Sequence, residues 1–185
     1  MSDDLDVYTT TRRSLQSVAE HVLAAALHVA IGRIGLRATP GGFGTPWFDA
    51  GEGRRRLRVE GLDLVVEQDG QPERRAPLTT VRAAAELAGV LPGAPVDVYR
   101  PSTALDPDRP LELDGPSAAR LAAWYELTGT ALERLRAERQ GDAPSEAQLW
   151  PEHFDLATTI AEVNYGGSPG DEGHPSPYLL SLIHI

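Results

Sequence analysis

The chain has no cysteine and no lysine, and it carries a single asparagine, Asn164, and a single methionine. Without thiols, disulfides, a thiolate nucleophile, Cys-ligated zinc and iron–sulfur clusters are excluded. All 17 basic residues are arginine, set against 27 acidic residues for a formal net charge of -10. That surplus of anions repels phosphate backbones, so nucleic acid is not an expected partner. Neither His-Glu-x-x-His nor a Walker loop occurs, which leaves zincin and P-loop chemistry without support. The glycine-rich stretch Gly41-Gly42-Phe43-Gly44-Thr45 lacks the spacing of a phosphate loop and reads as a tight turn. The longest apolar run, Val22 to Ile31, is broken by His28 and falls short of the roughly 20 residues of a membrane span. The start, Met1-Ser2-Asp3-Asp4, is acidic where a secretory signal is basic. The expected location is the cytoplasm, with no membrane partner.

What is present describes a chain able to fold. It has 185 residues, 41% of them hydrophobic and 24% charged, and a mean hydropathy of -0.27. Such a chain can bury one core, so one domain is expected.

Periodicity locates the elements. Leu15, Val18, Ala19, Val22, Leu23 and Ala26 recur at helical spacing, predicting a helix over 14–30 capped by Thr11 or Ser14 and ended by Gly32. Ile34, Leu36 and Ala38 alternate as in a strand. Between Arg54 and Leu78 the alternation, punctuated by Gly61 and Asp69-Gly70, predicts three antiparallel strands. A short helix capped by Thr79 follows, then a strand over 96–99. A second long helix is predicted over 116–139, with Ala118, Leu121, Tyr125 and Leu132 on its apolar stripe and Asp114 or Ser117 as its cap. The β-branched content of Thr158, Thr159, Ile160 and Val163 favours a strand near the C-terminus, and Pro177-Tyr178-Leu179 reads as the start of another. The fold these elements predict is α+β: an antiparallel twisted sheet with two long amphipathic helices packed on one face.

The strongest chemical candidate is Trp150-Pro151-Glu152-His153-Phe154-Asp155. On a strand, His153 and Asp155 would share a face, where imidazole and carboxylate can act as an acid–base pair or, with Asp171 or His174 as a third ligand, hold a divalent metal. A local hydrogen-bonded pair at a sheet edge is the plainer reading. Arg54, Arg56 and Arg58 share one face of a strand and are candidates for anion binding, although Glu52, Glu60, Glu67 and Glu73 can balance them. His21 and His28 lie seven residues apart, about 10 Å along a helix, too far to grip one metal. Both are expected to be partly exposed.

Three stretches, Arg33 to Thr45, Leu149 to Asp155, and Asn164-Tyr165-Gly166 with Ser168-Pro169-Gly170-Asp171, resemble a family of uncharacterised bacterial proteins from high-G+C genomes. The similarity extends over most of Thr10 to Leu179. In that family the Pro177-Tyr178 stretch continues into a Tyr-Val-Gly-Pro-Trp-like strand and a further segment, and the resemblance implies no activity or catalytic residue. This chain instead ends in Leu180-Ser181-Leu182-Ile183-His184-Ile185. Those six residues are what the codons of a library-preparation transposon end encode, so 180–185 is expected to be a non-native, adapter-derived tail on a domain, 1–179, left incomplete with an unpaired sheet edge open to association. The functional expectation is a non-enzymatic binding or interaction module of unknown partner. The alternative is a metal-dependent or acid–base enzyme centred on Glu152, His153 and Asp155, its cofactor unknown.

Overall fold

The structure is a computed structural model that describes residues 2–183. It has an α+β fold. Helix α1 (Ser2–Val18) passes through a π-helical turn (Ala19–Leu23) into α2 (Ala24–Ile31), and Gly32 at φ +69° closes the run by donating its N–H to His28 O. The run begins twelve residues before the predicted start, because Thr11 and Ser14 do not cap it. Their hydroxyls accept the backbone N–H groups of Asp114 and Glu112, tying the helix to the segment that leads into the second long helix. The window Asp4–Ile31 is long and apolar enough to cross a membrane by length and composition, and 72% of its most apolar stretch is buried inside the protein.

Strands β1 (Arg37–Thr39), β2 (Gly42–Gly44), β3 (Phe48–Asp49), β4 (Arg54–Glu60), β5 (Asp63–Gln68) and β6 (Arg74–Pro77) form one antiparallel sheet in the order β1-β2-β4-β5-β6, with β3 beside β4. The three strands expected between Arg54 and Leu78 are β4, β5 and β6. Thr80, one residue beyond the expected cap, accepts the Ala83 N–H and starts α3 (Val81–Ala88). The segment 96–99 is not a strand. Val98 and Tyr99 turn back to bond Pro95 O, and Val96 and Val98 are exposed, so alternation there reflects no sheet face.

Helix α4 (Gly115–Glu138) is capped by Asp114, whose carboxylate accepts the Ser117 N–H. After a 3-10 turn (Gln140–Asp142), β7 (Gln148–Trp150), β8 (Asp155–Ile160), β9 (Val163–Ser168) and β10 (Tyr178–Ile183) form a second antiparallel sheet in the order β10-β9-β8-β7. Two sheets replace the single one expected, joined by an antiparallel bridge in which Leu36 and Leu149 exchange two N–H···O bonds of 2.9 Å. The helices do not lie side by side on one face. Helix α4 packs on β1 and β2 of the first sheet and β8 and β9 of the second, whereas α1 packs on α4 and α3.

Leu180–Ile183, assigned above to a non-native tail, pair in register with Gly166 through Val163 of β9. They complete β10, whose other edge is open, and Leu182 and Ile183 point into solvent. His184 and Ile185 lie outside the described residues.

The core centres on three fully buried rings. Phe43, Tyr125 and Phe154 meet edge to face with centroids 5.1 to 6.1 Å apart, each such pair adding about 0.5–1.5 kcal/mol beyond its buried area. The Tyr125 hydroxyl donates to Phe154 O at 2.7 Å, so its polar tip is satisfied. A Cβ at Gly167 would stand 2.7 Å from Thr128 Oγ1, so glycine is what lets α4 approach β9 this closely. These contacts fix the turn that carries the candidate site.

Candidate functional site

Helix α1 and the π turn present Arg12, Gln16 and Glu20 at four-residue steps, and all three are buried. One side of the helix is therefore polar and inward. Gln16 donates to Pro151 O and Glu152 O, and Glu20 accepts N–H bonds from Ser102 (2.6 Å) and Thr103 (2.9 Å) and the Thr103 hydroxyl. Burial raises the Glu20 pKa, and these donors oppose the rise.

The π turn, closed by the Ala24 N–H on Ala19 O, also buries the next residue, His21. His21 Nδ1 accepts the Ala94 N–H at 3.1 Å, which leaves Nε2 as the protonated nitrogen facing Thr103 O, also at 3.1 Å. Burial lowers its pKa, as a ring that must accept at Nδ1 requires. The expectation of an exposed His21 fails for this reason, while His28 is half-buried and 3.6 Å from Asp97. Together Glu20 and His21 clamp an irregular loop, 93–103, against the helix.

That loop, α1, the turn between β7 and β8, and the loop between β9 and β10 enclose a cavity of about 630 Å³. Glu152, His153, Asp155 and Asp171 all border it, and the first three also border a neighbouring cavity of about 480 Å³. His153 and Asp155 do not share a strand face. Strand β8 starts only at Asp155, and Phe154 adopts φ +60°, a left-handed conformation that costs a bulky residue about 1–3 kcal/mol. The Phe154 N–H bonds Trp150 O at 2.7 Å while its ring anchors in the core. This leaves His153 exposed on the turn and Asp155 half-buried at the cavity wall.

Burial raises the Asp155 pKa, opposed by a Ser168 hydrogen bond and by the charges of His153 and Arg12. Its Oδ1 has no hydrogen-bond partner, and the same holds for Glu152 Oε2 and Arg12 Nε. Arg12 is only 4% exposed. Among the described residues no carboxylate lies within salt-bridge distance of its guanidinium, and burial lowers its pKa. Among the described residues two other arginines leave a buried Nε unbonded, but Arg55 donates to Ala88 O and Arg136 to Glu133.

The remaining candidates are engaged elsewhere. Asp171 Oδ1 accepts the N–H groups of Gly173 and His174, and Oδ2 accepts the Tyr178 hydroxyl, which holds its pKa down and staples the loop. His174 does not border the cavity; it is exposed and stacks edge-on with Tyr178 at 5.0 Å. Among the described residues no three His, Asp or Glu side chains are grouped to hold a metal ion. On β4, Arg56 makes a bidentate pair with Glu67, Arg58 pairs with Glu60 and Glu67, and Arg54 and Arg56 stand over the Trp47 ring. Arg56 and Arg58 are thus neutralised by neighbouring glutamates.

A larger and more apolar groove, about 800 Å³, runs between α4 and β1 past Thr39, Gly129 and Glu133, and contains none of the candidate residues. The polar cleft is the stronger site because three charged residues that line it, Arg12, Glu152 and Asp155, leave buried atoms unpartnered, against the Thr39 hydroxyl in the groove, and buried polar groups are ordinarily paired. Sequence reasoning missed Arg12, Gln16 and Glu20, although polar residues at steps of four among apolar neighbours were a visible signal. No family model matches the chain, and no curated protein or solved structure proved significantly similar to it.

Proposed function

We propose that the chain is a cytoplasmic, non-enzymatic binding module that holds a small polar ligand in the cleft between α1 and the 150–155 turn. The observation that carries this reading is the set of three unpartnered buried atoms, Arg12 Nε, Glu152 Oε2 and Asp155 Oδ1, on residues lining one cavity. A cavity of this size falls within the range of small-molecule sites. The clamped loop 93–103 and the strained, ring-anchored turn give the walls a fixed shape, as preorganised binding requires. The test is native mass spectrometry of the protein after incubation with a cell metabolite extract. Wild type should retain a small molecule that Arg12→Met releases, and wild type that retains none would overturn the reading.

An acid–base enzyme is the second reading, favoured by one observation: burial holds the Asp155 carboxyl toward its protonated form beside the exposed His153. It requires the retained compound to be converted to a product by wild type and left intact by Asp155→Asn. Recovery of the same unaltered compound from both proteins excludes it.

A further inference from the structure

Resting on that binding-module reading, we propose that the cleft recognises a dipolar ligand, one oxyanion and one ammonium group on a short chain of the size of a dipeptide. The argument is one of charge placement. Arg12 offers a buried planar fork of donors, and an oxyanion is the group that matches it, as a bidentate carboxylate or a phosphate. Glu152 and Asp155 border the same cavity with buried oxygens that accept from nothing in the protein. They call for a donor, best a charged one. Arg12 and Asp155 line the same cavity of about 630 Å³ without forming a salt bridge with each other, so each faces a space in which a ligand can stand.

The other charged groups around the cleft do not alter this balance. Arg13 is paired with Glu172 at 2.9 Å, and Asp171 is held by Tyr178 and two backbone N–H groups. Arg100 is exposed at the rim, as is His153. A purely anionic ligand would satisfy Arg12 and face two carboxylates in the same cavity. A purely cationic one would satisfy the carboxylates and leave the buried guanidinium without an acceptor, at the cost of an unpaired buried charge. Only a ligand carrying both signs meets both demands.

The test is a set of four probes titrated into isotope-labelled protein while backbone amide shifts are followed by NMR. Glycylglycine carries carboxylate and ammonium, phosphoethanolamine carries phosphate and ammonium, N-acetylglycylglycine keeps only the carboxylate, and glycylglycinamide only the ammonium. At least one dipolar probe should shift the amides of Arg100, Ser102 and Thr103, of 152–155, and of Ser168 and 170–173, with an affinity tenfold or more above both single-charge probes. Whichever dipolar probe binds tighter identifies the oxyanion. Arg12→Met should erase the advantage over glycylglycinamide, and Asp155→Asn the advantage over N-acetylglycylglycine. Arg12→Lys, which keeps the charge, should retain part of the advantage and guards against misreading a folding defect in the Met variant. Single-charge probes that bind the cleft as tightly as the dipolar ones would overturn the dipolar ligand while the binding-module reading survives on its retained metabolite. Failure of every dipolar probe to shift these amides would also overturn it.

Discussion

Strand β4 and helix α1 both carry arginines into the structure, and their guanidinium groups meet opposite surroundings. On β4 the charge is plain in the sequence, and in space Glu67 and Glu60 accept from Arg56 and Arg58 while Trp47 lies beneath Arg54 and Arg56. On α1 a single arginine, Arg12, is buried with its Nε unpartnered beside two carboxylate oxygens in the same condition. Density of charge marks a self-neutralising surface here. Incomplete pairing of a few buried groups marks the place where something else can bind, because each such group carries a desolvation cost that a ligand can offset.

The comparison sharpens within the same helical run, where α1 passes into the π turn. Glu20, two turns beyond Arg12, is as buried but fully engaged, so its removal should cost the most. Glu20→Ala strips acceptors from Ser102 N, Thr103 N and the Thr103 hydroxyl and opens a cavity. Stability should fall by about 2–4 kcal/mol, measured by urea denaturation, and a loss below about 1 kcal/mol would show that the loop is not held this way. Arg12→Met should have the opposite sign. Replacing an unpaired buried cation by an apolar side chain of similar length should raise stability by about 1 kcal/mol while removing ligand retention. A destabilisation comparable to that of Glu20→Ala would mean Arg12 is a structural group after all.

The parts of this architecture legible in the sequence are those set by local pattern. Alternation and Asp69-Gly70 specify the β4–β5–β6 meander, and the stripe of Leu121, Tyr125 and Leu132 with the Asp114 cap specifies α4. The β-branched run at Thr158–Ile160 correctly marks β8. Readings failed where a tertiary partner overrides local preference. Thr11 and Ser14 look like caps, but their hydroxyls serve Asp114 and Glu112, so α1 begins earlier and Arg12 moves from a loop onto the buried side of a helix. Division into two sheets follows from long-range pairing that alternation does not encode. Glu152, His153 and Asp155 border one cavity, but not on the shared strand face that their spacing suggested. Their geometry was misjudged because Phe154 leaves the extended region to bury its ring, which no periodicity reveals.

The π turn permits a smaller, pH-resolved test. His21 has a folded-state pKa below its ordinary value of 6.5, so between those two values the unfolded chain binds the proton that the folded chain refuses. Its contribution is complete above about pH 6.5 and is lost as pH falls through that value toward the folded pKa. Glu20 and Asp155 have the opposite sign, since their raised pKa values make acidification favourable toward the ordinary carboxylate range. The expected measurement is therefore a difference. Wild type should lose stability relative to His21→Gln, whose amide can accept from Ala94 and donate to Thr103, as pH drops from 7 to 5.5 in chemical denaturation. Parallel profiles would mean that His21 titrates freely in the folded protein.

The smallest effect is expected where the charge is densest. Arg56→Ala breaks a bidentate pair that is only partly buried, and such pairs near a surface contribute about 1 kcal/mol or less, reduced further by salt. Its stability should drop by no more than that, and shifts of the 152–155 amides on adding glycylglycine should match wild type. The same samples can be titrated with inorganic phosphate. Amides of β4 should stay unmoved, because Glu60, Glu67 and Glu73 already stand around these guanidinium groups and an added anion would have to displace them. Phosphate binding at β4 that weakens with salt and vanishes in Arg56→Glu would reverse the comparison, making the strand the site and leaving Arg12 without a role.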